Sequence, residues 1–180
     1  MERFGGGAIL IRDYDPRWRQ IFAEEDRRLR AALGALATTV EHVGSTAVPG
    51  LAGKPIIDVL VGVRSLDEAR AQAIVPLEAL GYEYISEYER WLPDEMLFRR
   101  RDASGRWTHH VHLTEPSSER WDEFILIRDY LRAHEAIAKE YGELKRTLAA
   151  RLGDDIAGFR TAKAPFLRAI LAKARSERQT

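Results

Sequence analysis

The sequence predicts an α/β protein, with helices packed on a mixed β-sheet and a helical extension at its C-terminal end. Apolar residues recur at helical spacing over residues 16–36 and again over residues 118–171. Between these segments, residues 56–63 form a short run that is apolar at both odd and even positions, as in a strand buried on both faces. A predicted helix connects the first pair of strands to the later, hairpin-rich section, and such crossovers are typical of a mixed sheet with helices packed on it.

Length and composition predict one globular domain. The chain has 180 residues, of which 45% are hydrophobic and 31% charged, which is enough for a single core. We expect one domain over residues 1–180, with a core over about residues 8–116 and a helical extension over about residues 117–175. Acidic and basic residues balance at 28 each, which argues against a general nucleic-acid or membrane-surface binder. The absence of cysteine excludes disulfides, thiolate metal sites and cysteine nucleophiles.

The start of the chain does not resemble a targeting sequence. Residues 5–7 are all glycine, where a signal peptide needs a long apolar core. No apolar run has the length needed to span a bilayer. We therefore expect a cytoplasmic protein without a membrane partner.

The first elements follow from local signals. Residues 8–11 are a short apolar run that predicts an edge strand. Asp15 and Pro16 are the N-cap and first position of a predicted helix, and the charged run over residues 24–28 predicts that one face of this helix is solvated. A strand over residues 40–43 then leads into a glycine turn.

The rest of the chain alternates helices with a hairpin. Ser65 or Asp67 caps a helix that runs to residue 80, and the alternation over residues 82–88 is interpreted as a strand. The remaining predicted elements are two hairpin strands and three helices, over about residues 96–101, 107–114, 118–134, 135–152 and 156–171.

One stretch, residues 40–61, has the pattern of strand, glycine-punctuated turn and strand. The turn at Gly44 and Ser45 offers backbone N–H groups and a hydroxyl, which suit a phosphate group. Asp58 interrupts the apolar second strand. Because an unpaired buried carboxylate is strongly unfavourable, Asp58 should meet a cation, a metal ion or hydrogen-bond donors.

Residues 41–58, EHVGSTAVPGLAGKPIID, resemble the signature of the GrpB-like family within the nucleotidyltransferase-fold superfamily. The resemblance implies a nucleotidyltransferase-like core in which Ser45, in the turn with Gly44, contacts a triphosphate and Asp58 holds a divalent metal ion. The superfamily usually has a second carboxylate two residues further on. That position is Leu60 here, so the two-metal site built by the superfamily pattern is incomplete.

The resemblance extends from about residue 14 to residue 171. It includes Phe98-Arg99, residues 109–112, residues 128–132, Tyr141 with Lys145, and Lys163 with Phe166. It implies that four basic side chains bind the nucleotide or its phosphates: Arg99, Arg128, Lys145 and Lys163. In some family members a similar domain looks fused to dephospho-coenzyme A kinase, but this chain lacks the Gly-x-x-x-x-Gly-Lys-Ser/Thr loop of a phosphate-binding kinase.

The residues of the central stretch also have an ordinary structural explanation. Asp58 either holds metal or phosphate, or accepts hydrogen bonds from the neighbouring turn. Gly44, Ser45 and Thr46 either cradle phosphate or form a simple turn. Lys54, in the same loop, either reaches back to that phosphate or is solvated.

The basic residues allow two explanations as well. On a strand, Arg99 and Arg101 point one way and Arg100 the other. They either form a charged edge that discourages aggregation, or Arg99 neutralises a substrate phosphate. The C-terminal helices carry three further basic residues, Arg128, Lys145 and Lys163. These side chains either extend along apolar surface towards solvent or line the far wall of a cleft.

Two histidines introduce a metal-binding hypothesis. His110 and His112 share one face of a predicted strand, and such a pair either ligates a metal ion or forms a polar strand face. His42 has the same polar character on an earlier strand. If the strands are neighbours, His110 and His112 converge with Asp58, and histidine replaces the missing carboxylate; Glu115 is a further candidate ligand by type. The expected cofactor is a divalent metal ion, Mg²⁺, Mn²⁺ or Zn²⁺.

The sequence thus supports two hypotheses about function. In the first, the protein is a metal-dependent nucleotidyltransferase that moves a nucleotidyl group to an unknown acceptor, with Asp58 at the metal and His112 as the base that activates the acceptor. In the second, it is a catalytically silent domain that binds a nucleotide or another phosphorylated small molecule. Leu60 favours the second hypothesis, and the polar histidine face favours the first.

Overall fold

The computed structural model describes residues 8–178. It contains a five-stranded mixed sheet and six α-helices, which confirms the predicted class. The strands are β1 (Thr39–Val43), β2 (Ile57–Gly62), β3 (Glu83–Tyr84), β4 (Met96–Arg101) and β5 (Trp107–Thr114). The helices are α1 (Arg17–Leu33), α2 (Leu66–Gln72), α3 (Ile74–Ala79), α4 (Glu119–Ala133), α5 (Glu135–Leu152) and α6 (Ile156–Arg178). Gly5, Gly6 and Gly7, whose presence argues against a signal peptide, lie outside the described residues.

The sheet has the strand order β1-β2-β5-β4-β3, and only the central pair β2–β5 is parallel. The connection from β2 to β5 passes through α2, α3, β3 and β4. In this register Asp58 lies opposite His110 and Leu60 lies opposite His112. Because side chains alternate between the two faces of a sheet, these four side chains share one face.

The two faces of the sheet have different partners. The first face packs on α1, α2 and α3 to form the main core, which includes Leu29, Val59, Leu77, Phe98 and Val111. The C-terminal helices form a second cluster with the loop before β2, which includes Val48, Leu51, Tyr130, Tyr141 and Ile170. The helices α4, α5 and α6 therefore lie towards the face that carries Asp58 and His110.

Residues 8–11 do not form the predicted edge strand. The only bridge in this region joins the next residue, Arg12, to Gly53, with N–O distances of 2.9 Å in both directions. Ile9 is buried against Leu148 and Phe159 of the C-terminal helices instead. The apolar character of the run therefore reflects packing against helices and not pairing in the sheet.

The charged face predicted for α1 is not solvated throughout. Glu25 is only 2% exposed. It accepts two hydrogen bonds from Arg100, at 2.8 and 2.6 Å, and one from the hydroxyl of Tyr82 at 2.9 Å. Arg100 thus points to the α1 side of the sheet, opposite to Arg99, as strand alternation predicts.

Two predicted boundaries were wrong for local reasons. The helix expected up to residue 80 is divided into α2 and α3 at Ala73. Pro76 explains the break, because proline cannot donate to the carbonyl of Gln72 and its ring clashes with that carbonyl. The strand expected over residues 82–88 keeps only Glu83–Tyr84, and a 3₁₀ turn over Ser86–Arg90 follows.

Other predicted signals are present in the structure. The hairpin strands begin and end at the predicted residues. The side chain of Ser118 caps α4 by accepting from the amide of Trp121. Over residues 8–178, no helix is both long enough and apolar enough to cross a membrane.

Candidate functional site

The parallel pairing of β2 and β5 brings Asp58, His110 and His112 together. The Oδ1 atom of Asp58 lies 3.0 Å from Nδ1 of His110 and 3.7 Å from Nε2 of His112. One donor atom from each residue can be chosen so that all three lie within 4.8 Å of one another. The side chains of Asp58 and His110 remain 26% and 21% exposed, so this cluster, called here the Asp-His-His cluster, is open to a ligand.

Glu95, in the loop before β4, fixes the orientation of His112. Its side chain is fully buried, and Oε1 lies 2.5 Å from Nδ1 of His112. Arg120 of α4 donates to the other oxygen of Glu95, also at 2.5 Å. A carboxylate that accepts from Nδ1 leaves Nε2 directed at Asp58. Histidine ligands in metal sites are commonly held in this way.

The charges of the Asp-His-His cluster are coupled. Burial alone lowers the pKa of His112, but Glu95 and Asp58 outweigh it and raise that pKa to about 9. Burial likewise acts to raise the pKa of Asp58, but the hydrogen bond from His110 and the positive charge of His112 hold it well below its usual range. Burial lowers the pKa of His110, and its attraction to Asp58 only partly offsets this effect. Without metal, Asp58 is therefore a carboxylate between a protonated His112 and a neutral His110.

The turn after β1 fits closely against the cluster. Gly44 has a φ of 70°, and a Cβ atom built on it lies only 2.3 Å from Oδ2 of Asp58. Glycine is therefore required both by the backbone conformation and by the proximity of the carboxylate. The next residue, Ser45, accepts a hydrogen bond from Nζ of Lys145 on α5 at 2.7 Å.

A cavity of about 460 Å³ opens in front of this cluster, between the sheet and the C-terminal helices. Its lining includes Ser45, Asp58, His110 and His112, and also seven basic side chains, Lys54, Arg99, Arg101, Arg106, Lys145, Arg160 and Lys163. Tyr88, Trp107 and Phe159 contribute aromatic surface. Positive charge of this density is suited to an anionic ligand that carries several charges.

Two of the lysines, Lys54 and Lys145, have pKa values below the usual range for lysine. Burial is the main cause in both, and the positive charge of Lys163 adds to it. Together they lower the pKa of Lys54 to about 8 and that of Lys145 to about 7. The negative charge of Asp58 acts in the opposite direction on both lysines. A phosphate beside Lys54 would strengthen its protonated form, because it supplies the negative charge that this side chain lacks.

Most of the predicted site residues meet in this cavity, but three do not line it. Gly44 lies against the side chain of Asp58, as described. The hydroxyl of Thr46 is fully buried, contacts Nε2 of His42 at 2.9 Å and donates to the carbonyl of Ile56. Arg128 donates to Glu41 and Asp129, each at 2.7 Å. The polar groups of Thr46 and Arg128 thus already have structural partners.

Two further candidates face away from the cluster. His42 stacks on Phe22 of α1 with ring centroids 4.5 Å apart, and burial lowers its pKa to about 4. Glu115 accepts from the amide of Leu66 at 3.0 Å, at the start of α2. Neither residue supplements the Asp-His-His cluster.

Sequence reasoning missed several residues of the site. Glu95, Tyr88, Phe159 and Arg160 belong to no short motif, and their roles follow from tertiary packing. The only local signal for Glu95 is its position directly before the apolar run of β4. Charged residues are common at the start of a strand, so this signal does not indicate a function.

Comparison with known proteins identifies the family of the chain. The model of the GrpB protein family matches residues 8–173. The chain belongs to the GrpB family. GrpB from Enterococcus faecalis has a crystal structure that superposes with a TM-score of 0.86 at 34% identity, covering 95% of this chain and all of that one. The UPF0157 protein YqkA of Bacillus subtilis is 40% identical over 143 residues, which are 79% of this chain but 40% of YqkA.

Some relatives of this GrpB family member are longer. A dephospho-CoA kinase of Mycolicibacterium paratuberculosis is 33% identical over 176 residues, which cover 86% of this chain and 43% of that protein. The chain thus spans less than half the length of this relative and of YqkA. The similarity to the kinase agrees with the expected occurrence of a GrpB-like segment in such proteins.

Proposed function

We propose that this protein uses a divalent metal ion to transfer a nucleotidyl group from a nucleotide, bound in the cavity, to an acceptor. The observation that carries the proposal is the position of the Asp-His-His cluster in a cavity lined by seven basic side chains. A site for a cation beside a site for anions is suited to a phosphate ester that bridges the two.

The three donors fit a transition-metal ion better than Mg²⁺. Two imidazoles and one carboxylate favour Zn²⁺ or Mn²⁺, whereas Mg²⁺ prefers oxygen ligands only. Glu95 supports this assignment, because it orients His112 as metal sites require. A bound ion would neutralise charge on a phosphate oxygen and make its phosphorus more electrophilic.

Around the ion, the chain itself supplies the contacts to phosphate. Lys54, Lys145 and Lys163 bring positive charge into the cavity from the loop before β2 and from two helices. The hydroxyl of Ser45 is a further polar contact. Arg99 lies on β4 opposite His110 and is 9% exposed, at the side of the cavity formed by the sheet.

The two roles predicted for His112, metal ligand and base, exclude each other. Its Nδ1 atom is occupied by Glu95, and its Nε2 atom faces Asp58. A ligated His112 then has no nitrogen left to accept a proton from an acceptor molecule. We assign it the role of ligand, together with Asp58 and His110.

A second function, binding without catalysis, is favoured by one observation. Leu60 is fully buried at the position where the superfamily has its second carboxylate. It offers no oxygen to a second ion, so the protein would hold a nucleotide or phosphorylated metabolite with one ion and leave it unchanged.

Metal uptake and nucleotide binding test the shared part of both functions. The purified protein should take up Zn²⁺ or Mn²⁺, measured by elemental analysis after dialysis, and the His110→Ala/His112→Ala variant should not. The Ser45→Ala variant should bind nucleotide more weakly than the parent in calorimetry and keep its fold. If the parent takes up neither ion, both functions are wrong.

Turnover separates the two functions. With metal, a nucleoside triphosphate and a mixture of acceptors, nucleotidyl transfer releases pyrophosphate, and Asp58→Asn should abolish that release because the amide keeps the shape but loses the charge. Metal and nucleotide binding by the parent without pyrophosphate release would support the silent domain. Unchanged metal and nucleotide affinity in Asp58→Asn, with a lowered melting temperature, would show that Asp58 is structural.

A further inference from the structure

Ser45 and Lys145 form a direct contact between the two parts of the chain. Ser45 lies in the turn after β1, and Lys145 lies on α5, 100 residues later. Nζ of Lys145 donates to Oγ of Ser45 at 2.7 Å. Lys145 is only 3% exposed, whereas Ser45 is half-buried and lines the cavity. The serine hydroxyl is therefore reachable from the cavity, and the amine behind it is shielded from water.

The packing around this pair leaves little freedom. A Cβ atom on Gly53 would lie 2.6 Å from Cβ of Ser45 and 3.5 Å from Nζ of Lys145. The ring of Tyr141, one helical turn before Lys145, lies 4.4 Å from Nζ. The backbone at Gly53 and the ring of Tyr141 thus hold the hydroxyl and the amine in one relative position.

The groups that face Lys145 favour its neutral form. Burial has the largest effect, Lys163 of α6 and Arg146 of α5 act in the same direction, and Asp58 of β2 opposes them; the resulting pKa is about 7. Near neutral pH a large fraction of the amine is therefore uncharged. An uncharged Nζ can accept the proton of the serine hydroxyl across the same 2.7 Å contact.

We propose that Ser45 and Lys145 are a nucleophile and its general base, and that Ser45 forms a covalent ester with a phosphoric anhydride substrate. The serine and the lysine have the arrangement of an activated nucleophile, with the base in hydrogen-bond reach and itself held by its surroundings. The choice of a phosphoric anhydride rests on the proposed function, since the same cavity carries the Asp-His-His cluster and the basic side chains.

The covalent step is balanced within the site. Oγ of Ser45 attacks phosphorus, and the bond from phosphorus to the bridging oxygen of the leaving phosphate breaks with its electron pair on that oxygen. The hydroxyl proton passes to Nζ of Lys145, which becomes an ammonium group. For a nucleoside triphosphate attacked at its α-phosphorus, the products are a nucleotidyl ester of Ser45 and pyrophosphate. Lys54 and Lys163 lie in the same cavity and can neutralise the leaving group.

A fluorophosphonate tests the pair without the metal or the nucleotide. The metal-free parent protein should form a covalent adduct, located on Ser45 by peptide mass spectrometry, and Ser45→Ala should form none there. The Lys145→Arg variant, which is charged at every pH used, should react more slowly than the parent by a factor of about 100 or greater. Lys139→Arg, at an exposed position of the same helix, is the matched control and should react like the parent.

The pH dependence of the reaction separates a base from a structural lysine. The rate constant of the parent should rise with pH along a titration curve whose midpoint is at about pH 7, following the neutral fraction of Lys145, and Lys145→Arg should lack this rise. Lys145→Met, which is smaller and has no charge, gives a second variant if Lys145→Arg melts at a lower temperature. Absence of an adduct on Ser45 in the parent, or equal rates in the parent and in both Lys145 variants, overturns the proposal.

A second arm replaces the fluorophosphonate with ATP and Mn²⁺ and searches for an adenylyl ester on Ser45. An adduct with both reagents supports the pair and its substrate class. A fluorophosphonate adduct without an adenylyl ester supports the pair and overturns the assigned substrate. Failure of both, with intact binding of Mn²⁺ and ATP in calorimetry, overturns the pair and leaves the proposed binding function in place.

Discussion

Gly44 is the residue whose replacement should separate backbone strain from disruption of the Asp-His-His cluster. Its φ is 70°, and the absent Cβ would lie 2.3 Å from a carboxylate oxygen of Asp58. Gly50 has a φ of 78° and no atom within 4 Å of its Cβ position. The two glycines therefore share a positive φ that disfavours other residues, and of the two only Gly44 faces the cluster.

We predict different effects of alanine at the two glycines. Gly50→Ala should lower the free energy of unfolding by about 1–2 kcal/mol, the cost of a left-handed conformation, and leave metal affinity unchanged. Gly44→Ala should cost more than that and also weaken metal binding, because Asp58 must move. Chemical denaturation and metal titration of both variants measure this; equal losses of stability with unchanged metal affinity would contradict the role given to Gly44.

At His112 the prediction concerns pH. Its pKa of about 9 in the folded chain lies above the value of about 6.5 for an unfolded histidine. Its contribution to stability is therefore complete below about pH 6.5 and disappears as the pH rises to about 9. Lys145 and Lys54 act in the opposite direction over this range, since their pKa values are lowered on folding.

The difference between the parent and His112→Gln isolates the contribution of His112. In the metal-free state, the free energy of unfolding of the parent minus that of the variant should decrease between pH 6.5 and 9. Denaturant titrations across this range, in the presence of a chelator, give this difference. A constant difference would show that His112 is not protonated between Glu95 and Asp58.

At the scale of elements, the loop before β4 and the first turn of α4 act together on β5. Glu95 in the loop receives Nε–H of Arg120 and faces Nδ1 of His112. Arg120 also donates to Glu123, at 3.0 Å, which does not touch the cluster. The two glutamates therefore share Arg120, but only Glu95 orients a candidate ligand.

We predict that Glu95→Gln lowers the affinity for Zn²⁺ or Mn²⁺ by about 10–100-fold, as loss of an orienting carboxylate does in other metal sites. Glu123→Gln is the matched control and should change that affinity little. Competition with a chelating dye measures both constants. Similar affinities in the two variants would mean that Glu95 serves only to pair with Arg120.

The hairpin strands β4 and β5 could be predicted from the sequence because their signals are local. Alternation and turn residues place Met96–Arg101 and Trp107–Thr114 at their observed bounds. Residues 8–11 failed as a strand because an apolar run has the same pattern whether it pairs with a strand or packs on helices. The break at Ala73 was missed because the effect of Pro76 on the preceding turn was not taken into account.

The site was predictable in part for the same reason. Asp58 and His110 stand out as polar residues in apolar strands, and family-like motifs mark Ser45 and Lys145. Adjacency of β2 and β5 could not be derived, since the pairing spans about 50 residues and depends on the whole sheet. Glu95 has only a weak local signal, and its role depends on contacts with His112 of β5 and Arg120 of α4 that the sequence does not reveal.

At the scale of the molecule, the cavity joins the two parts of the chain. The sheet and its turns contribute the Asp-His-His cluster, Ser45 and Lys54, and the C-terminal helices contribute Lys145, Arg160 and Lys163. Phe159 packs beneath this basic group, with its ring 5.0 Å from Nζ of Lys54 and 5.9 Å from Nζ of Lys163. A ligand held here therefore contacts both parts.

We predict that nucleotide binding takes up protons near pH 8. Lys54, with a pKa of about 8, is partly neutral there, and the phosphates of the ligand raise this pKa. Calorimetry of ATP binding in buffers of different ionisation enthalpy, with a chelator to exclude proton release from His112, measures the uptake. Lys54→Met should reduce it, and binding heats that are independent of the buffer would contradict the assignment of phosphates to this cavity.

The parallel pairing of β2 and β5 also has a kinetic consequence. Asp58 and the two histidines are separated by more than 50 residues of chain, so a metal ion would find its complete set of ligands only after the centre of the sheet has assembled. Contacts that form late stabilise the native state more than the transition state for folding. A bound ion should therefore slow the unfolding of the protein by a large factor while leaving its rate of refolding almost unchanged.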